Sequence, residues 1–154
     1  MKTKLLFTLF LALVVAACEA PDSGRAIESF SGAAIQRSHD PQQVALGESV
    51  YRQYCAQCHG ENGEGDPNWR KRDAEGLFRP PPLNGTGHAW HHPKEWLKQM
   101  ILEGSQPGQG KMPGWRDNLT DVEVEAVIEW FQSRWPDQVY AAWYENQQRS
   151  RGIP

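Results

Sequence analysis

The run Cys55-Ala56-Gln57-Cys58-His59 constrains this chain more than any other feature of it. Two thiols three positions apart can add across the two vinyl groups of one porphyrin. The histidine that follows is then held under the iron as the proximal ligand. Two other uses of such a run have requirements of their own. Half of a zinc site needs further Cys or paired His ligands at suitable spacing, and a redox Cys-x-x-Cys needs a βαβ setting. The chain has three cysteines; the remaining one, Cys18, belongs to the N-terminal segment, and no βαβ pattern occurs. The expectation is one covalent heme c, joined at Cys55 and Cys58 with His59 on the iron. A second Cys-x-x-Cys-His is absent, which excludes a multiheme chain.

The N-terminal segment reads as an export signal. Lys2 and Lys4 precede an apolar run over residues 5–15 that is too short for a comfortable membrane span and fits a signal h-region. Val15-Ala16-Ala17-Cys18 resembles the bacterial lipobox, which implies cleavage before Cys18 and acylation of that residue. Several acyl chains hold a protein firmly to a bilayer where one would be marginal. Residues 1–17 are thus expected to be a lipoprotein signal peptide. The Ser, Gly, Ala and Pro of residues 18–39 read as a flexible tether. Loss of Lys2 and Lys4 moves the formal net charge from −3 to about −5, and an acidic chain argues against nucleic acid as a partner. Roughly 115 residues remain beyond the tether, enough for one core.

Helical periodicity dominates that remainder. Asp40 with Pro41 makes a helix start, and Val44, Gly47, Val50, Tyr51 and Tyr54 recur on one side toward the Cys55 motif and a stop at Gly60. Gly47 is a poor helix former, which suggests close approach of another helix. Residues 61–86 are punctuated by glycine and proline, and so long a loop in a small domain points to a group filling the core. A second helix fits 93–103, with Trp96, Leu97, Met100 and Ile101 on its buried side and Gly104 as its stop. Thr120-Asp121-Val122-Glu123 is a capping box that opens a third, bearing Val124, Val127, Ile128 and Phe131, and Pro136 ends it. Strand signals are weak, so the fold class expected is all-α. A domain over 40–135 is followed by an extension over 136–154, partly helical.

Two methionines could reach an iron. Met100 lies on an apolar helix stripe, where a core role is the simpler reading. Met112 sits in Gln109-Gly110-Lys111-Met112-Pro113-Gly114, a loop able to present a thioether without distorting a helix; the alternative is a gap-filling side chain. Taken together, the chain resembles the class I c-type cytochromes, small mono-heme electron carriers of bacteria. The helix entering Cys55-x-x-Cys58-His59, Pro82-Leu83, the Met112-Pro113 loop and the helix after Leu119-Thr120-Asp121 carry the resemblance, over residues 41–135. It implies the cytochrome c fold, axial ligation by His59 and Met112, and a crossing of first and last helices in which Gly47 and Tyr51 face Trp130 or Phe131.

The function expected is electron transfer rather than enzymatic turnover. An iron closed by two protein ligands changes little between its oxidation states, and a thioether ligand raises its potential. The tether concentrates such a carrier near membrane partners, on the periplasmic side of a bacterial envelope. Redox proteins are the expected partners, with no small-molecule substrate. Two rival readings keep the heme: a subunit of a larger oxidoreductase, and an enzyme or sensor in which Met112 is displaced by a small ligand. A third uses His88, His91 and His92 with Met112 for copper. Arg70, Lys71, Arg72 and Arg79 form a local basic cluster, read as a solvated face or as a docking patch for an acidic partner.

Overall fold

Asp40 begins α1 (Pro41–Tyr54) by accepting the Gln42 N–H on its carboxylate at 2.8 Å, with Pro41 in the first turn. These details come from the computed structural model, which describes residues 24–152. The helix does not run unbroken through the cysteine motif. Cys55 (φ −115°) makes a joint, and a single turn, α2 (Ala56–His59), follows it. The backbone stays bonded across the joint, from Cys55 N–H to Tyr51 and from His59 N–H to Cys55. After the loops come a short 3₁₀ turn at Ala89–His91, then α3 (Lys94–Glu103), α4 (Asp121–Ser133) and α5 (Asp137–Ser150). The Thr120 hydroxyl and Glu123 carboxylate close a complete capping box at the start of α4.

The crossing of α1 over α4 organises the core. A Cβ on Gly47 would stand 2.0 Å from the Ala126 carbonyl oxygen and 2.8 Å from Trp130 Cβ. Only glycine lets the two backbones meet there. One turn on, the Tyr51 ring packs on the Trp130 ring with centroids 4.1 Å apart, and both are buried with Val50, Val124, Val127, Ile128 and Phe131. The expected contact is therefore present, and Trp130 is the ring that Tyr51 meets.

The stretch read as a flexible tether departs from that expectation. Its described part pairs as an antiparallel hairpin, β1 (Arg25–Glu28) with β2 (Ala34–Arg37), in the register Arg25↔Arg37 to Glu28↔Ala34. Arg37 docks it. Its buried guanidinium donates to the carbonyls of Gln132 and Ser133 at 3.0 and 3.1 Å and pairs with Asp137 at 2.6 Å. The cation thus covers the carbonyl end of α4, where the helix dipole favours it, and lies 4.7 Å over the Tyr140 ring. Strands of four residues with few apolar side chains leave almost no periodic signal. The extension is fuller than expected: α5 buries Tyr140, Ala141, Trp143 and Gln147, and Gln147 accepts the Lys94 N–H at the start of α3.

Arg37→Ala should cost about 1–2 kcal/mol, because the Ser133 carbonyl loses its donor while the Gln132 carbonyl keeps the Trp135 N–H at 3.1 Å. The Asp137 share is discounted, since that carboxylate is 36% exposed. Urea denaturation checks this, and a change within about 0.5 kcal/mol would mean that the hairpin adds nothing to the domain.

Candidate functional site

His59 is 7% exposed, and its Nδ1 lies 2.8 Å from the Pro81 carbonyl oxygen. A carbonyl only accepts, so Nδ1 carries the proton and Nε2 keeps a free lone pair. Burial lowers the pKa of the ring below the ordinary histidine value, against a smaller opposing effect of the Pro81 bond. A neutral imidazole with one nitrogen fixed by a carbonyl is the arrangement that orients a histidine as a metal ligand.

The loop after the motif is shaped to supply that carbonyl. The Gly65 N–H bonds the His59 carbonyl at 2.7 Å, the Asp66 N–H bonds Pro80 at 2.9 Å, and the Leu83 N–H bonds Gly63 at 2.7 Å. Gly65 has φ +64°, and a Cβ there would stand 2.5 Å from Pro82 N and 2.6 Å from Pro81 C. The proline run is pressed onto the motif through a glycine backbone. Sequence reading missed Pro81 in this role. The signal was present in the spacing of Gly63 and Gly65 ahead of Pro80-Pro81-Pro82, which marks a close backbone approach. The Tyr51 hydroxyl donates to the Gly60 carbonyl at 2.7 Å, which links the α1–α4 crossing to the end of the motif.

Cys55 is half-buried, Cys58 is exposed, and the two are not joined to each other. Their i, i+3 spacing on a helical turn puts both thiols on one side. Burial first, then the neighbouring Cys58, pushes the Cys55 thiol up to about 12. A redox-active Cys-x-x-Cys has the opposite shift. Among the described residues no group of three His, Cys, Asp or Glu could hold a bare metal ion. Two adjacent thiols and one neutral, oriented imidazole are the donor set that a c-type heme takes, and the residues fit that group.

Met112 is half-buried in the loop between α3 and α4 and packs on the same core as Cys55, Leu83 and Trp115. Ser105 holds it from both sides: the Ser105 N–H bonds the Met112 carbonyl at 2.9 Å, and the Met112 N–H bonds the Ser105 hydroxyl at 3.2 Å. Met100 lies within α3. The histidines of the copper reading are engaged with tryptophans. His88 stacks on Trp69, His91 on Trp90 and His92 on Trp96. The Trp90 N–H goes to the Gly87 carbonyl. Cys18 lies outside the described residues.

A family model for cytochrome c oxidase, cbb3-type, subunit III matches residues 42–131. The chain belongs to that family. The matched stretch begins in α1 and ends in α4, so the hairpin and α5 lie outside it. Among curated relatives, the cbb3-type cytochrome c oxidase subunit CcoP of Azospirillum brasilense is 32% identical over 93 residues, 60% of this chain and 28% of that one. The CcoP of Azospirillum sp. (strain B510) is 28% identical over 91 residues, with 59% and 28% covered. The chain thus spans little more than a quarter of the curated relatives it matches. Cytochrome CL of the marine methylotroph Methylophaga aminisulfidivorans MPT is a structural neighbour at 23% identity and TM-score 0.44, covering 75% of this chain and 69% of that one. Membership of the subunit III family makes this a c-type cytochrome domain with the cytochrome c-like fold, a family that implies heme c.

Proposed function

We propose that the protein carries electrons through a single heme c. Cys55 and Cys58 form its thioethers, Nε2 of His59 is the proximal ligand, and the Met112 sulfur is the distal one. The observation that carries the reading is the 2.8 Å bond between His59 Nδ1 and Pro81: it fixes the tautomer and leaves Nε2 as the nitrogen with a lone pair to give. The heme, once bound, supplies the one-electron couple. The protein residues keep its environment constant between the two states, by burial and by closing both axial positions.

Acylation of Cys18 would hold this domain on the periplasmic side of a membrane. The docked hairpin takes up residues 25–37 of the stretch read as a tether. The relatives are subunits of a cbb3-type oxidase, which favours a second reading: a heme subunit that passes electrons within a redox complex. Both readings share the site and differ in how long the partner stays.

Maturation of the protein with heme, followed by acid–acetone extraction, tests the attachment. The wild type should keep its colour in the protein fraction and show a reversible oxidised–reduced spectral change. Cys55→Ser with Cys58→Ser should release nearly all of the heme. Heme retained by that double variant would contradict the thioether assignment.

A further inference from the structure

We propose that residues 66–80 are a strap that keeps Met112 on the iron, because this loop is rooted beside His59 and its far end holds every residue from Gly108 to Lys111. The inference rests on the reading of Met112 as distal ligand.

The root is closed by the Asp66–Pro80 bond at 2.9 Å, next to the Pro81 carbonyl that holds His59. The far end is a self-contained turn. Asp73 accepts the backbone N–H groups of Glu75 and Leu77, and its own N–H bonds the Leu77 carbonyl. From this turn the contacts run along the chain that leads to Met112. Arg72 Nη1 donates to the Gly108 carbonyl at 2.9 Å and to Gly76 in its own loop at 2.5 Å. The Phe78 N–H bonds Gln109 at 2.9 Å. Phe78 bridges Gly110 on one side and Arg72 on the other, with the Arg72 guanidinium 4.1 Å over its ring. Lys111 Nζ pairs with Asp73 at 3.2 Å and Glu75 at 2.7 Å. Ser105 then holds Met112 itself.

Release of a methionine from iron is a local opening of its loop, and such openings are governed by the bonds that the loop alone must break. Here Met112 itself is bonded to Ser105, and the four residues that lead to it, Gly108 to Lys111, are held by the strap. Lys111 and Glu75 are well exposed, so their pairing adds little. The Arg72–Gly108 bond is exposed too and is discounted in the same way, but it is charge-assisted and lies at the joint between the two loops, which makes Arg72 the principal positioning residue. The basic cluster noted in the sequence is thus divided: Arg72 is structural, while Arg79 pairs with Asp66 at 3.6 Å near the root.

The test mixes the ferric holoprotein with imidazole, whose binding waits on release of Met112. Arg72→Ala should speed this by roughly fivefold, the effect of one exposed charge-assisted bond, while the heme stays covalently attached. Asp73→Asn with Glu75→Gln should speed it by about two- to threefold. Val127→Ala, which weakens the core globally, should leave the rate within about twofold of wild type. Equal rates in Arg72→Ala and wild type would overturn the strap, as would an equal acceleration in Val127→Ala. A wild type that lacks the far-red Fe(III)–Met band, or that binds imidazole as fast as Met112→Ala, would remove the Met112 reading itself, and the strap with it.

Discussion

Gly47→Ala should destabilise the protein by about 3 kcal/mol, although alanine is the better helix former by about 1 kcal/mol. The added methyl would stand 2.0 Å from the Ala126 carbonyl oxygen. Because the obstacle is backbone, trimming a side chain on α4 gives no relief. The helices must part, and parting them opens the Tyr51–Trp130 contact and loosens the Tyr51 bond to Gly60. Heme loading should therefore fall along with stability, since the same residue that packs the crossing also anchors the end of the motif. Urea denaturation of the purified protein reads the first effect and the heme-to-protein ratio the second. A variant as stable as wild type would contradict the close crossing.

Met112→Ala should leave the fold standing and open the iron. The side chain is only half-buried, so its packing loss is about 1 kcal/mol, and the loop keeps its backbone bonds to Ser105 and to residues 66–80. The weak far-red Fe(III)–Met band should disappear, carbon monoxide should bind the reduced form, and the reduction potential should fall with loss of the thioether. Visible spectroscopy and a redox titration check all three. A variant with the wild-type far-red band would show that another group holds the sixth position.

The candidate site was more legible in the sequence than its supports. Cys55, Cys58 and His59 are adjacent in the chain, so their chemistry needs no knowledge of the fold. Gly47 and Tyr51 could be read because a glycine inside a periodic helix has few explanations. The capping box at Thr120 is local too, and it is present as read. Pro81, Arg37 and Arg72 escaped for one shared reason: each acts through a backbone carbonyl, its own for Pro81 and a distant one for the two arginines, and a carbonyl has no sequence identity. Arg37 reaches Gln132 and Ser133, and Arg72 reaches Gly108. The hairpin was hidden by its composition. Ile35 is nearly its only fully buried apolar side chain, and a buried arginine, read from sequence, looks like solvent-exposed charge.

These residues support a carrier only if the iron is closed on both sides. The most direct measurement is the visible spectrum of the wild-type protein, matured with heme, in its ferrous state with and without carbon monoxide. No change is expected on adding the gas, and the oxidised form should show a far-red Fe(III)–Met band. Ready carbon monoxide binding by the wild type would contradict the closed iron and leave a heme open to small ligands.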